Sequence, residues 1–478
     1  MRLWISSLKA KIILQFALGP IGGALLGFIT LPFVAWFFMV EDVGRLTMLQ
    51  VVLGLAVSLF SLSMHQAYVR EYHEKTDKEA LLKLSILPGL ALITIVALIA
   101  LLQPYSISKL LFGINSNSLT VLLFVGLLAS FFINFLAHVI RMQERGLAFS
   151  ITQIAPKLFL LILISLIMLF GLKAEFYTLM LMNTLAISFS LIIFAWLTRK
   201  SWIAAFTKRI DTVLLKGMLT FSLPLVAGGI AYWGVSTMDR FFLRSLSGFE
   251  ELGIYSLAAA LAGVISVVTS IFSSIWHPLL YRWVKEGSEK SKIECVIENM
   301  VLFVVLIWSL FGLLSFIIPI FLPQEYSAIE YLIVACVAMP LFYLLSEVTG
   351  VGIGITRRTN FSMLASFIAF AVNAILNYLL IPYYGASGAA LASIFAFFVF
   401  FTVKTESSAH IWKAIPRVKI YVLMIGYVAA TCIMVITKAN EPALMWIWVF
   451  LLILSCVLFS KRLAETYFYL KNYLMERV

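Results

Sequence analysis

Two charged residues lie deep inside long apolar runs, and chemistry would start there. Lys157 stands 12 residues beyond Arg145 in one such run. On a continuous helix that is ~18 Å, close to the middle of a ~30 Å hydrocarbon layer. A lysine at that depth costs ~2.5–3.5 kcal/mol. It either snorkels back toward the helix N-terminus or faces a wet cavity, where it would attract an anion such as a diphosphate. Gln153 sits one turn earlier on the same face. Glu347 stands ten residues before Arg357, which is ~15 Å into the layer. An unpaired carboxylate there is a candidate proton carrier or ion ligand; the alternative is a protonated or helix-paired carboxyl with no transport role.

Asn134, His138, Arg141 and Arg145 follow at steps of 4, 3 and 4, which puts them on one helical stripe. The stripe is either a span end turning polar at the cytosolic interface or, with His65 and Lys157, a cationic inner surface suited to phosphate groups. Asn373 and Asn377, spaced i and i+4, either bind sugar hydroxyls or tie helices together by hydrogen bonds. Asp239 and Arg240 fall at the outer end of an apolar run. They are interfacial charges, or a gate that pairs with Glu41 or Asp42.

The elements that position these residues are membrane helices. The chain has 478 residues, 62% hydrophobic and 12% charged. A soluble domain averages ~45–50% apolar and ~25% charged, so a soluble enzyme, a disordered chain and a disulfide scaffold are excluded. Fourteen apolar segments appear, at 12-38, 44-69, 84-103, 118-140, 148-170, 176-198, 217-238, 252-276, 299-321, 329-353, 360-381, 386-403, 420-437 and 443-460. Each is long enough to cross as a helix, and continuous runs exclude an alternating barrel pattern. The first, following a basic N-terminus, is read as an uncleaved span.

With the N-terminus in the cytosol, the inner segments hold 28 Lys+Arg and 13 Asp+Glu, and the outer ones 6 and 9. This is the positive-inside distribution, with both termini cytosolic. The net charge of +12 is therefore topological, and no nucleic-acid partner is expected. Lys157 and Glu347 are the two charges left over.

A weak internal repeat relates Glu41–Gly44 and its following run to Glu250–Gly253, 209 residues on. Six spans separate the halves, so they are parallel repeats, with a substrate site expected between them. The expected division is an N-terminal six-helix lobe over 1-208, a second over 209-412, and two extra helices with a tail over 413-478. Pro20, Pro32 and several glycines in the first span, and Pro224 with Gly228 and Gly229 in the seventh, serve either packing or bending. Cys295, Cys336, Cys432 and Cys456 are too scattered for a disulfide set or a metal site. No phosphate loop, HExxH or DxD motif is present, so no cofactor is expected and an enzyme is argued against.

Asn373-Ala-Ile-Leu-Asn-Tyr-Leu-Leu-Ile-Pro-Tyr-Tyr-Gly-Ala-Ser-Gly-Ala-Ala-Leu-Ala392 resembles the eleventh-to-twelfth span hairpin of polysaccharide flippases, in the multidrug/oligosaccharidyl-lipid/polysaccharide exporter superfamily. In that hairpin Pro382 is expected to end one helix. Met64–His73 resembles the end of their second span, although an acidic residue is common where His65 stands. Asp239-Arg240 with Leu252–Tyr255 resembles their seventh-to-eighth hairpin. The resemblance implies an all-α polytopic fold of fourteen helices, as two parallel six-helix lobes plus two. It implies translocation of a polyprenyl-diphosphate-linked oligosaccharide across a bacterial inner membrane, for O-antigen or a related surface polysaccharide. The expected partners are that lipid-linked oligosaccharide, membrane lipids, H+ or Na+, and the polysaccharide polymerase machinery. A drug or cation exporter of the same superfamily would need an acidic cavity, where the candidates here are mostly basic. A glycan polymerase or ligase is disfavoured by short outer loops.

Overall fold

A computed structural model describes residues 2–102, 104–171, 173–287, 289–413, 415–438, 442–460 and 463. Among these residues the protein is helical throughout, and it divides into two compact units. The first comprises residues 1–244 with 248–253, and the second 245–247 with 254–478. The first unit contains α1 (Arg2–Phe37), α2 (Val40–Phe60), α3 (Met64–Glu71), α4 (Lys78–Leu102), α5 (Pro104–Phe112) and α6 (Asn117–Met142). It continues through α7 (Gly146–Leu169), α8 (Phe176–Leu197), α9 (Arg199–Thr207) and α10 (Thr212–Leu246), and takes the first turn of α11 (Phe249–Ala262). The second unit holds the rest of α11, then α12 (Val264–Glu286), α13 (Glu289–Leu314), α14 (Ile329–Thr349) and α15 (Val351–Ile355). It closes with α16 (Asn360–Tyr384), α17 (Ala386–Ile411), α18 (Val418–Thr437) and α19 (Pro442–Leu458).

Twelve stretches of described residues are long and apolar enough to cross a membrane, and Thr212–Ala227 and Met445–Leu458 are shorter apolar helices. The seventh and fourteenth expected spans fall in α10 and α19, of which these are the apolar stretches. The chain is a multi-pass membrane protein: the apolar side chains it exposes, such as Leu98, Ile192 and Phe450 at 60–63%, need lipid around them.

The expected spans are less continuous than their apolar runs. The second breaks at residues 61–63, where Leu62 and Ser63 have φ of 48° and 53°. Left-handed geometry costs a non-glycine residue roughly 1–2 kcal/mol, and it re-aims α3 relative to α2. The eighth breaks at Gly263, between α11 and α12. The tenth breaks at Gly350, so Glu347 lies in the last turn of α14 rather than midway along an unbroken helix. By contrast α1 runs unbroken through Pro20 and Pro32. Pro382 does not end α16, which continues to Tyr384 and stops at Gly385, with φ of 54°. Proline loses one hydrogen bond but leaves the remaining ladder intact; the residue with positive φ makes the turn.

Two close approaches organise the first unit. Along α1, Gly19, Gly23 and Gly27 repeat every four residues. They face Ser150, Gln153 and Lys157 of α7 in the same order, so the two helices run parallel. Odd-numbered spans must run this way, and small residues let the backbones meet. At the starts of α2 and α11, a Cβ on Gly44 would run into the Phe249 carbonyl, and one on Gly253 into the Val40 carbonyl. Phe249 and Gly253 each stand 209 residues after Val40 and Gly44. The reciprocal contact has the two-fold form that a duplicated segment produces.

Candidate functional site

In the first unit the α1–α7 pairing sets the position of Lys157. Its ammonium donates to the Gly23 carbonyl at 2.5 Å and lies over Gly27, where a Cβ would be 2.7 Å from Nζ. The absence of a side chain at Gly27 is what lets the lysine reach across. No carboxylate lies within ion-pair distance of Lys157 among the described residues, so a half-buried cation is held by one backbone oxygen. Gln153 packs its backbone carbonyl and Cβ against Gly23, one turn before Lys157.

The break at 61–63 brings His65 of α3 to His138 of α6, with ring centroids 4.8 Å apart. His138 Nδ1 pairs with the Asn134 carbonyl at 2.7 Å, the i−4 carbonyl of its own helix. His65 Nδ1 is buried and has no hydrogen-bond partner in the structure. Arg141 is exposed in the last turn of α6. The expected four-residue stripe is one residue shorter, because α6 ends at Met142. The turn that follows has Glu144 at φ 56° and carries Arg145 away to donate to the Leu197 carbonyl at 2.6 Å.

Asp239 and Arg240 both sit in α10, where the Arg240 backbone N–H donates to Asp239 Oδ1 at 2.9 Å and its guanidinium donates to the Ser236 carbonyl at 3.0 Å. Glu41 and Asp42, the expected gate partners, are each engaged by Arg45, at 2.8 and 2.7 Å. Arg45 also lies 4.9 Å from the Phe249 ring centroid.

The second unit holds a charge cluster that the apolar runs concealed. Glu347 is not an unpaired carboxylate: its Oε1 accepts from Lys404 Nζ of α17 at 2.8 Å, and its Oε2 lies 3.2 Å from His277 Nε2 of α12. The Lys404 and Glu347 side chains are only 11% and 10% exposed, whereas His277 is 46% exposed. The Trp276 indole donates to the Glu347 carbonyl at 3.2 Å. The Lys404 ammonium lies 5.2 and 5.7 Å from the ring centroids of Phe400 and Tyr343. The three titratable groups border a cavity of about 180 Å³ that also touches Ser346, Thr359 and Ser362. Lys404 and His277 each follow an apolar run directly, which made them look like loop charges. Helices α17 and α12 in fact continue past those runs to residues 411 and 286. The available signal was helical spacing beyond the run, read against Glu347.

Asn373 and Asn377 are sealed in the packing of α16, at 1% and 0% exposure. Asn377 Nδ2 donates to Asn373 Oδ1 at 2.9 Å, while Asn373 Nδ2 and Asn377 Oδ1 lack partners in the structure.

Fold and sites together define a multi-pass helical membrane protein whose buried polar groups line helix seams. The family profile described as "Polysaccharide biosynthesis protein" matches residues 10–284, more than half of the chain. The chain belongs to that family. A curated relative, the "Probable low-salt glycan biosynthesis flippase Agl15" of Haloferax volcanii, is 23% identical over 217 residues. That match covers 44% of this chain and 45% of the relative, so it spans less than half the relative's length. The fold is similar to that of a solved lipid II flippase MurJ in an inward closed conformation, with a TM-score of 0.68 and 15% identity, over 94% of this chain and 99% of that one. It is also similar to an inward-facing multidrug resistance MATE family transporter of the MOP superfamily, with a TM-score of 0.58 and 14% identity, over 83% and 95%. These relatives are flippases and transporters, not enzymes.

Proposed function

We propose that the chain is a flippase for a polyprenyl-diphosphate-linked oligosaccharide repeat unit, serving O-antigen or related surface-polysaccharide synthesis at a bacterial inner membrane. The observation that carries the reading is Lys157. In a member of a polysaccharide biosynthesis family, a half-buried ammonium is held by a single backbone carbonyl. A cation so weakly compensated away from water is a binding point for an anion. The diphosphate of the cargo would meet Lys157, with Gln153, Asn134, His138, Arg141 and His65 around its path and the lipid tail left in the bilayer. Asn373 and Asn377 would contribute hydrogen bonds to sugar hydroxyls when α16 and α17 part. Asp239 and Arg240 would act as an outer gate.

The topology that goes with this reading has fourteen spans in two six-helix lobes, 1-208 and 209-412, with 413-478 appended and both termini cytosolic. Transport would follow alternating access. Glu347 would couple it to H+ or Na+, exchanging its Lys404 partner for the ion, and the flipped units would pass to a polymerase. A cation exporter is less well supported, because the buried carboxylates Asp42, Asp239 and Glu347 are each engaged by an arginine or lysine.

Deletion of the gene is expected to abolish the long glycan and to accumulate lipid-linked repeat units at the cytosolic leaflet. Complementation by the wild-type chain but not by Lys157→Ala, inserted at equal level, is the expected outcome. Unchanged glycan in the deletion strain overturns the flippase reading.

A further inference from the structure

A second cavity lies in the first unit, and none of the residues placed on the cargo path lines it. It has a volume of about 360 Å³ and is bounded by α4, α6 and α8 and roofed by the short helix α9. Its wall is apolar: Ile86 and Leu90 from α4, Phe132 and Leu136 from α6, Leu191 from α8 and Trp202 from α9 are representative. The single charged residue on it is Lys83, near the start of α4. The cavity sits where α4 begins and where α6 and α8 end, which is the basic end of these helices.

Helix α9 has the character of an interfacial element. Ile203 and Phe206 are 53% and 73% exposed, as is Trp196 just before it at 66%. Arg199 and Lys200 open it, both exposed. An apolar side, an indole and basic residues on a nine-residue helix place it in the headgroup boundary. It is fixed there by bonds to the surrounding helices: the Trp202 indole donates to the Ala195 carbonyl at 2.8 Å, and Gln143 donates to Ser201 Oγ at 3.1 Å. The Lys83 ammonium donates to the Phe206 and Lys208 carbonyls at 3.1 and 2.7 Å. An ammonium has three donors, so one remains at the cavity wall. The Arg199 guanidinium stacks on Trp196, 4.2 Å from its ring centroid, one helical turn from Trp202.

We infer that this cavity binds one acyl chain of an anionic phospholipid of the inner leaflet, with the phosphate held at the rim by Arg199 and Lys83. Size selects the chain. At ~30 Å³ for each water-sized group, the cavity takes about a dozen methylenes, a large part of one acyl chain and only a small part of a long polyprenyl tail. Charge selects the headgroup: basic pockets between helices at the cytosolic face attract anionic lipid, and no acidic side chain lines this one. The site would anchor α9, and through Lys83 tie it to α4, whenever the leaflet supplies such a lipid.

The test uses the full chain purified in detergent, with its thermal unfolding midpoint followed as dioleoyl phosphatidylglycerol or dioleoyl phosphatidylcholine is added. Phosphatidylglycerol is expected to raise the midpoint saturably, and phosphatidylcholine is not over the same range. Arg199→Glu, at an exposed position, is expected to raise the half-saturating phosphatidylglycerol concentration about tenfold. Lys173→Glu, an equally exposed reversal at the other end of the unit, is expected to leave it unchanged. Ala195→Phe, which puts a ring into the cavity beside Trp202 and Leu191, is expected to weaken the response strongly. Native mass spectrometry of the folded variant is expected to show one bound lipid fewer. Equal responses to the two lipids, an unaltered response in Arg199→Glu, or saturation by undecaprenyl phosphate in place of phosphatidylglycerol would each overturn the inference.

Discussion

The Glu347–Lys404 pair offers the sharpest perturbation. The two groups meet at 2.8 Å with side chains about one-tenth exposed. Removing one partner of such a pair strands the other charge and costs ~3–5 kcal/mol. Lys404→Met should fall near the lower bound, about 3 kcal/mol. Glu347 keeps His277 at 3.2 Å, and that imidazole is 46% exposed, so the carboxylate is left with a polar partner and a path to water. Glu347→Leu combined with Lys404→Met removes both charges and leaves apolar volume among Tyr343, Phe400 and Trp276. Buried pairs replaced in this way are often neutral or more stable. The double variant should therefore lie within about 1 kcal/mol of wild type, roughly 2–3 kcal/mol more stable than Lys404→Met alone. Unfolding of the purified chain in mixed micelles titrated with sodium dodecyl sulfate gives the energies, and glycan complementation gives the function. If Lys404→Met matches wild type within about 0.5 kcal/mol, the buried ion pair is not what holds α14 to α17. A stable double variant that fails to restore glycan assigns the pair to transport; one that restores it assigns the pair to stability alone.

Further outcomes follow from single positions. Gly27→Val puts a branched side chain where the Lys157 ammonium rests, and should lower complementation to the level of Lys157→Ala; full activity would show that the Gly23 contact is dispensable. Gly385→Ala forces φ of 54° with ψ of −128° on a residue with a Cβ, at ~1–3 kcal/mol, and the unfolding titration should register that loss. The Lys208 ammonium, bonded to Asp77 at 2.8 Å, holds the Asp77 carboxyl below the usual aspartate range. A depressed carboxylate stabilises the fold above its unfolded value, and that contribution fades as pH falls through the folded one. Lys208→Met should therefore lower stability slightly at neutral pH, because the pair is exposed, leave it unchanged once Asp77 is protonated, and so flatten the acid limb of the stability profile. An unaltered limb would remove the bridge from the account.

Span positions were readable from the chain because lipid demands about twenty apolar residues for every crossing, and nothing else in a protein of this composition needs them. The interruptions were not readable. Leu62 and Ser63 carry no glycine or proline to mark a left-handed break; surrounding packing imposes it. Gly263 and Gly350 are breaks at residues common in membrane helices, so their type alone does not separate a break from close packing. At Pro382 the residue type pointed to a stop that the helix passes through. The candidate site was readable where one residue is costly by itself, as with Lys157, but not where a partner lies on a distant helix. Lys404 is 57 residues from Glu347, and only packing shows that the two charges cancel. The Lys157 contact likewise needed the glycine stripe of α1, which reads as packing until α7 is set against it.

How the two units satisfy their buried cations bears directly on the cargo. In the second unit, Lys404 and Arg417 each meet a carboxylate, Glu347 and Glu406. In the first, Arg45 meets Glu41 and Asp42 and Arg240 meets Asp239, whereas Lys157 is met by the backbone oxygen of Gly23. A carbonyl dipole orients a cation without neutralising it, so its field extends into whatever lies alongside. A carboxylate cancels that field within a few ångströms. The half-buried cation held without a carboxylate is thus Lys157, on the α1–α7 seam. A cationic drug would be repelled there, and a neutral sugar would gain nothing from it. A diphosphate would gain most at the point where the water that normally screens it is scarcest. That asymmetry makes Lys157→Ala a harsher change for transport than its modest contact suggests. It also makes Lys157→Arg, which keeps the charge but brings a planar fork too wide for the space over Gly27, the variant that separates charge from fit.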